Sequence, residues 1–433
     1  MNLPSDPGRS VGLWGATAIG IGGMIGGGIF AVLGVVAEQA GGGAPLALAV
    51  GGLLALLTAS SYALLCTRYP SRGGSVVFVD RVFGTSLATG ALNNLLWFGY
   101  LVALALYATA FASYAEALFV GSGSVSPWVD HLLISAAILI PTAINLASAG
   151  SVARAETALV VVKLLILGLV GVAGFASVHA GRLAVSTWPS IPTVVAAGLL
   201  VFIAYEGFEL IANAAEDVRD PRRTLPRAYH LAVGFVVALY VAVALVAVGA
   251  VPSATLVDAK DYALAVAARP SLGEAGFALI AVAAMLSTAS AINASLYGAA
   301  RVSFVIARSG ELPEALERKV WNRPIEGLLI TGAATLVLAN LVPLASIAAV
   351  GSAGFLLIFT FVNVANARLA GRSGARRSVA WLAAGASAAA FAALLVQVAR
   401  EHPAQLWFVA GLSVLAFGGE RLYRSVARRR PPP

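Results

Sequence analysis

The chain has 433 residues, of which 59% are hydrophobic and only 11% are charged, and its formal net charge at pH 7 is +8. Soluble domains carry about 25% charged residues, so this composition cannot cover a water-exposed surface of the required size. The apolar composition and the single cysteine, Cys66, also exclude a disordered chain and a disulfide scaffold.

Twelve apolar runs follow one another along the chain, and each is near the roughly 20 residues with which a helix crosses a bilayer. Their apolar residues are continuous and do not alternate, which predicts α-helices and excludes the strands of a barrel. We therefore predict an all-α integral membrane protein with 12 transmembrane helices. Two loop helices are also predicted, at residues 254–269 and 312–320. The twelve runs cover residues 12–37, 44–66, 85–119, 132–148, 155–177, 193–214, 228–250, 274–305, 327–343, 345–368, 379–398 and 404–423.

Basic residues predict the orientation. Most of the 28 Lys and Arg residues lie in the loops that share a side with the N-terminus, and the other side holds Arg182, Lys260, Arg269 and Arg400. Because Lys and Arg concentrate in cytoplasmic loops, both termini are expected in the cytoplasm of a multi-pass cell-membrane protein. The positive charge thus reports topology, and no nucleic acid partner is expected. Residues 1–11 form the cytoplasmic N-terminus and residues 424–433 a basic tail.

Glycines interrupt the first run. Gly26, Gly27 and Gly28 are consecutive, and each Gly costs about 1 kcal/mol in a helix interior relative to Ala. This predicts an unwinding point. The alternative is close helix packing, because Gly22 with Gly26, and Gly23 with Gly27, fit the small-xxx-small pattern.

The sixth run is interrupted by Glu206, Gly207 and Glu209. Five runs separate the start of one broken helix from the start of the next, and because five is odd the two units must point in opposite directions. We predict an inverted repeat of residues 12–177 and 193–368, followed by two peripheral helices at 379–423. Many secondary transporters build a midplane binding site from such paired breaks.

Each break supplies free backbone groups for a ligand. Amides of the half-helix after the glycine run suit a carboxylate, since a helix N-terminus is positive. Unwound carbonyls at Gly22, Gly23, Ala204 and Tyr205 suit an ammonium. An amino acid carries both groups and is the predicted substrate.

Three charged side chains lie well away from the ends of the predicted spans and are candidate site residues. Lys163 has no carboxylate within a turn on its C-terminal side, so it is a candidate proton carrier. The alternative is that its side chain reaches the cytoplasmic interface. Glu206 and Glu209 could each take a proton, bind the substrate ammonium or cap the break. No enzyme, cofactor or metal site is predicted, because the four histidines are scattered and lack metal-ligand spacing.

The chain resembles the amino acid–polyamine–organocation (APC) transporter superfamily, and most closely its proton-coupled amino acid transporters of the leucine-transporter fold. Four segments carry the resemblance: GGMIGGGIF at residues 22–30, FIAYEGFE at Phe202–Glu209, AAEDVRDPRRTLPRA at residues 214–228, and LSTASAIN at residues 286–293. The resemblance implies ten core helices in an inverted repeat plus two peripheral helices.

The resemblance also assigns roles to residues. It implies that the substrate carboxylate meets the amides of Ile25, Gly26, Gly27 and Gly28, and that its ammonium meets carbonyls near Ala204, Tyr205 and Glu206. Phe208 would be an aromatic gate or pocket wall. Lys163 would replace the sodium ion of sodium-coupled relatives and contact the Gly22 carbonyl and the Ser287 hydroxyl. Glu206 stands where relatives often have a small or apolar residue, which could favour cationic substrates.

The sequence therefore predicts a secondary active transporter that moves amino acids by alternating access, with proton symport through Lys163. An alternative is an ion-independent exchanger of amino acids or polyamines, in which Lys163 is a permanent charge. A second alternative is a membrane receptor that transports nothing.

Overall fold

The structure is a computed structural model that describes residues 10–71, 73–120, 126–147, 149–312, 325–342, 344–373, 376–401 and 403–427. These residues are almost entirely helical, and one isolated β-bridge joins Val11 to Val218. The bridge is closed by hydrogen bonds from Val11 N to the Asp217 carbonyl and from Arg219 N to the Val11 carbonyl, at 2.9 and 2.8 Å. It ties the N-terminus to the loop after the sixth run.

Sixteen helices lie in the described ranges. The first half forms α1 Leu13–Ala40, α2 Ala44–Arg68, α3 Ser75–Phe83, α4 Leu87–Phe119, α5 Pro127–Ala147 and α6 Ala149–Phe175. The second half forms α7 Ile191–Leu200, α8 Leu210–Asn213, α9 Pro221–Ala250, α10 Ser253–Ala259, α11 Ala263–Arg308, α12 Ile325–Leu341, α13 Leu344–Arg368, α14 Ala370–Ser373, α15 Arg377–Glu401 and α16 Pro403–Ala427.

The described residues contain seven helical segments that are long and apolar enough to cross a membrane, and a bent pair, Ile191–Leu200 with Phe202–Asn213, makes an eighth. The first of the seven, Leu13–Arg68, runs through both α1 and α2. Nine of the twelve predicted runs coincide with these segments. The other three coincide with α6, α12 and α16. The protein is thus an all-helical, multi-pass membrane protein.

Two segments outside the predicted spans differ from their predicted form. The outer segment is divided into α10, the 3-10 turn Lys260–Tyr262 and the start of α11, which kinks at Gly273, where φ is +62°. The predicted loop helix at 312–320 falls almost wholly outside the described residues. The last helix continues to Ala427, so Arg424 belongs to α16 and not to the predicted tail.

The glycine-rich α1 is largely buried, and it packs against α9, α11 and the 3-10 segment Phe202–Glu209. The opposite behaviour is seen on α15 and α16, which expose large apolar side chains such as Trp381 and Trp407. Such exposed apolar side chains suit contact with lipid tails. The broken sixth span therefore lies inside the bundle, and α15 and α16 lie at its edge.

Candidate functional site

The first and sixth spans cross backbone to backbone. A Cβ atom on Gly207 would lie 2.2 Å from the Gly23 carbonyl carbon, and one on Gly23 would lie 2.7 Å from the Gly207 carbonyl oxygen. Only glycine fits at either position, since real Cβ contacts are longer than 3.0 Å. The two glycine-containing segments singled out in the sequence therefore meet in the structure.

A tyrosine completes a second contact between the same spans. A Cβ on Gly28 would lie 2.6 Å from the Ala204 carbonyl oxygen. The Tyr240 hydroxyl on α9 donates to the Met24 carbonyl oxygen at 2.6 Å, and it also lies within hydrogen-bond distance of the Ala204 carbonyl oxygen, at 3.3 Å. Tyr240 thus fastens the two backbones together one turn beyond the Gly23–Gly207 contact.

The prediction that the first span is unwound is wrong for this structure, because α1 is a continuous α-helix from Leu13 to Ala40. The amides of Ile25, Gly26, Gly27 and Gly28 lie within that helix. Breaking it among apolar neighbours would leave amides unpaired, at several kcal/mol each, more than the roughly 1 kcal/mol that a Gly costs in a helix. The glycines instead make room for neighbours, which is the close-packing alternative: a Cβ on Gly26 would strike Ala291, and one on Gly27 would strike the Tyr107 ring.

The break in the sixth span is present. Helix α7 ends at Leu200, the backbone continues as the 3-10 segment Phe202–Glu209, and the two parts are bent by 40°. Ser352 on α13 compensates for the break, since its hydroxyl donates to the Leu200 carbonyl at 2.6 Å and accepts from the Ile203 amide at 3.0 Å. Side-chain partners of this kind make an irregular backbone tolerable at membrane depth.

Lys163 points into the bundle. Its side chain is 2% exposed, and its ammonium donates a hydrogen bond to the Gly22 carbonyl at 3.2 Å. The predicted contact with the Gly22 carbonyl is therefore present, and the alternative of a side chain that reaches the interface does not fit this burial. The predicted hydrogen bond to Ser287 is not formed here: Ser287 is fully buried, and its hydroxyl has no hydrogen-bond partner among the described residues.

Glu206 is 2% exposed and lies beside the crossing. The Tyr107 hydroxyl on α4 donates to Glu206 Oε1 at 2.9 Å, whereas Oε2 has no hydrogen-bond partner among the described residues. A buried carboxyl with one unsatisfied oxygen can accept a proton or a donor group from a ligand. The side chain of neighbouring Tyr205 turns away, because its hydroxyl donates to the Leu48 carbonyl at 2.8 Å.

Glu209 connects the sixth span to the short helix α3. The hydroxyl of Ser75, the first residue of α3, donates to Glu209 Oε1, and the Tyr62 hydroxyl lies 2.5 Å from the Ser75 hydroxyl. Glu209 Oε2 also lacks a hydrogen-bond partner in the described part of the chain. A change in the charge of Glu209 would therefore act directly on α3.

Phe208 is buried in an aromatic cluster. Its ring centroid lies 5.2 Å from that of Phe359, 5.4 Å from that of Tyr62 and 6.4 Å from that of Tyr229. These distances suit edge-to-face and tilted stacking. Movement of Phe208 would require this cluster to rearrange.

Sequence reasoning missed the tyrosines that hold the site. Tyr100, Tyr107 and Tyr114 repeat every seven residues and so lie on one face of α4. In the structure they bind Asn213 Nδ2, Glu206 and the Phe30 carbonyl respectively. That heptad spacing is a visible signal and could have indicated a polar helix face directed at the broken span. Within the described ranges, no group of three His, Cys, Asp or Glu side chains could hold a metal ion.

Many apolar helices, a bent span and buried charges together define a multi-pass membrane protein of the permease class. A family model described as amino acid permease matches residues 11–417, and the chain belongs to that family. The predicted resemblance is thereby confirmed, and so is the expectation that the chain is not an enzyme.

Relatives cover most of the chain. An uncharacterized protein of Methanocaldococcus jannaschii is 37% identical over 372 residues, 86% of this chain and 85% of the relative. The inner membrane transport protein YbaT of Escherichia coli is 35% identical over 370 residues, 85% of this chain and 86% of the relative. The branched-chain amino acid permease BcaP of Bacillus subtilis is 27% identical over 379 residues, 82% of this chain and 80% of the relative.

Proposed function

We propose that the protein is a secondary active transporter that carries amino acids across the cell membrane by alternating access, with proton symport through Lys163. The family and the names of its relatives support amino acid transport. We further propose twelve spans, a five-plus-five inverted repeat with two peripheral helices, and cytoplasmic termini, which the even number of runs and the basic loops support.

One observation carries the proposal: the backbones of the first and sixth spans meet at Gly23 and Gly207, with the Lys163 ammonium on the adjacent Gly22 carbonyl. A bound amino acid would need the amides of Ile25, Gly26, Gly27 and Gly28 for its carboxylate. Because α1 is continuous, we propose that substrate binding includes local unwinding at these residues. The low helix propensity of three consecutive glycines reduces the cost of that step by about 1 kcal/mol per residue relative to alanine.

The position of Lys163 supports the proposed proton coupling. When Lys163 is charged, an ion–dipole contact joins its ammonium to the Gly22 carbonyl, and this contact offsets the cost of burying the charge. When Lys163 is neutral, that ion–dipole contact is lost. Loss of the proton would therefore release the first span. Ser287 is buried, its hydroxyl has no hydrogen-bond partner among the residues that the structure describes, and it could accept the ammonium in another state. Glu209 would transmit a second protonation change to α3 through Ser75.

Gradient-driven uptake tests the coupling. In proteoliposomes, a pH gradient should drive wild-type accumulation of substrate, and Lys163→Ala should abolish accumulation while counterflow at equal pH persists, because the site remains and only the proton carrier is lost. A Lys163→Ala protein that still accumulates substrate under the gradient would show that Lys163 is not the coupling residue.

The same assay distinguishes the alternatives. An ion-independent exchanger would show counterflow in the wild type with no response to the pH gradient. A receptor would bind labelled amino acids and show no counterflow.

Glu206 bears on the substrate's charge. Its Oε2, which has no hydrogen-bond partner in the described part of the chain, could bind a cationic side chain or a polyamine. Cationic substrates therefore stay a second candidate beside neutral amino acids. A panel of neutral and cationic amino acids and polyamines, compared by thermal stabilisation of the purified protein, would separate the two, since ligands that bind only the folded state raise its stability.

A further inference from the structure

A second group of buried carboxyls lies away from the site, where the ends of four helices meet. The group joins α3, the first turns of α4, the loop just after α11 and the last turns of α16. We name it the clasp. It consists of Asp80, Asn93, Asn94, Glu311, Glu420 and Arg424.

Two amides and one guanidinium connect the three carboxyls. Asn93 Nδ2 donates to Asp80 Oδ1 at 2.8 Å and to Glu311 Oε2 at 2.7 Å, which uses both of its hydrogens. Asn94 Nδ2 donates to Glu420 Oε2 at 3.1 Å.

Arg424 is the only cation that enters the clasp from the described residues. Its Nε donates to Glu420 Oε1 at 2.6 Å, and its Nη2 lies 3.9 Å from Glu311 Oε1. The same guanidinium donates to the carbonyls of Thr85 and Ser86, in the turn between α3 and α4, at 3.3 and 3.0 Å. Arg424 of α16 thus contacts both the turn after α3 and the loop after α11.

The clasp has more negative charge than Arg424 can balance. Glu311 is 1% exposed and Glu420 is fully buried, and Asp80 is half-buried beside them. Neighbouring cations are engaged elsewhere in the described structure: the Arg81 guanidinium covers the Tyr69 ring and that of Arg368 covers the Phe83 ring. Arg308, at the end of α11, is exposed to solvent. With all three carboxyls ionised, the clasp would carry a net charge of about −2, which is costly at this burial.

A proton would relieve the excess. Glu311 Oε1 and Asn94 Oδ1 have no hydrogen-bond partner among the described residues, so the clasp has acceptors without donors. Protonation of Glu311 removes one charge and supplies a donor. Burial, followed by the charges of Asp80 and Glu420, raises the pKa of Glu311 to about 8. Burial raises the pKa of Asp80 to about 6. Both groups lie outside the spans.

Helix α3 joins the clasp to the proposed transport site. It carries Asp80 in the clasp and, five residues earlier, Ser75, whose hydroxyl donates to Glu209 in the broken sixth span. Gly74, just before α3, packs against Ala212 and Asn213 at the end of the same span, where a Cβ would lie 3.2 and 3.0 Å from them. A shift of α3 would therefore be felt at Glu209.

We propose that the clasp is a proton-controlled latch on the cytoplasmic side, which holds α3 against the sixth span when protonated and releases it as cytoplasmic pH rises. Its effect on transport rests on the proposed function and orientation; its opening does not.

The sign follows from proton counting. In the closed clasp Glu311 has a raised pKa, whereas exposed to water it would titrate near 4.5. Between these two pH values the closed form binds one more proton than the open form. Rising pH therefore shifts the equilibrium toward the open form, by up to about tenfold per pH unit. Asp80 adds to this dependence only below about pH 6.

Spin-label distances test the opening without substrate. Labels at Arg81→Cys on α3 and Ser425→Cys on α16, with Cys66 replaced by Ser, report the separation of the two helices by double electron–electron resonance. From pH 6 to pH 8 the ratio of the long-distance population to the short-distance population should rise by up to about tenfold per pH unit. Glu311→Gln, which is permanently neutral and similar in shape, should keep the short distance throughout.

Counterflow with equal pH on both sides gives the transport readout. The wild-type rate should increase between pH 6 and pH 8, and Glu311→Gln should retain the low-pH rate. Glu274→Gln is the matched control, because Glu274 is exposed and forms an ion pair with Arg269; it should behave as the wild type in both assays.

The outcomes separate the two proposals. A wild-type distance that ignores pH, or a Glu311→Gln protein that keeps the wild-type pH response, would overturn the latch. A pH-dependent distance abolished by Glu311→Gln, in a protein that shows no counterflow, would support the latch and reject the proposed transport function. Asp80→Asn provides a second variant if Glu311→Gln does not fold. Because it removes a charge that raises the pKa of Glu311, it should move the distance response to lower pH, and an unchanged response would count against the latch.

Discussion

The first and sixth spans each contribute a glycine to the backbone crossing, but their backbone conformations differ. Both place a glycine at the crossing, yet α1 is a continuous α-helix, whereas the sixth span is a 3-10 segment bent by 40° from the helix before it. Ser352 binds backbone groups on both sides of the sixth-span break. In the first span, side chains such as Tyr240 add hydrogen bonds to carbonyls of an intact helix.

Glycine alone does not break a buried helix, because α1 is continuous through three consecutive glycines. A break at membrane depth requires partners for the freed amides and carbonyls, which Ser352 provides in one span. In the other span the glycines serve close approach of Tyr107, Ala204 and Ala291. Substitutions at the two glycine contacts should therefore differ in severity.

Gly207→Ala should have the largest effect. The added Cβ would lie 2.2 to 2.6 Å from three backbone atoms of Gly23 and Met24, and neither backbone can move without displacing a whole span. We expect a loss of about 3 kcal/mol or more in the free energy of unfolding, together with loss of counterflow. Unfolding in detergent and counterflow in proteoliposomes would measure the two effects.

Gly168→Ala is the matched control for that substitution. It lies in α6 with no atom within 4 Å of its added Cβ, so it should be neutral or stabilise by up to about 1 kcal/mol. Equal stabilities of the Gly207→Ala and Gly168→Ala proteins would contradict the close backbone crossing.

Gly27→Ala should have an intermediate effect. Its Cβ would lie 2.0 Å from the Tyr107 ring, a side chain that can turn, and alanine also favours the helix by about 1 kcal/mol. We expect a net destabilisation of about 1–2 kcal/mol, measured by unfolding in detergent. Adding Tyr107→Leu should recover part of this loss, and failure of that recovery would show that the ring is not the obstacle.

Much of the fold was predictable from apolar runs. The first run, predicted at residues 12–37, forms Leu13–Ala40, and the sixth, predicted at 193–214, spans Ile191–Asn213. Helix α3 was not predicted, because nine amphipathic residues between two long runs give little signal. Continuity of α1 was not predictable either, since it depends on whether neighbours leave space for freed backbone groups.

The site was predictable where burial alone decides a role. Lys163, Glu206 and Glu209 stand out as charges in apolar runs, and Lys163 contacts the Gly22 carbonyl as the family resemblance implies. Their partners were not predictable, because Tyr107 and Glu206 are 99 residues apart in the chain and Ser75 and Glu209 are 134 apart. Such pairs arise only from the packing of helices.

The smallest expected effect concerns the hydrogen bond between Tyr107 and Glu206. A double-mutant cycle of Tyr107→Phe, Glu206→Leu and the double variant isolates this contact, because Phe lacks the donor and Leu lacks the acceptor. We expect a coupling of about 1 kcal/mol in the free energy of unfolding, typical of an intramolecular hydrogen bond. A coupling near zero would mean that Tyr107 holds the site by packing against Gly27 alone. In that case α4 would be held against the sixth span by packing, and the carboxyl of Glu206 would be free to bind the substrate.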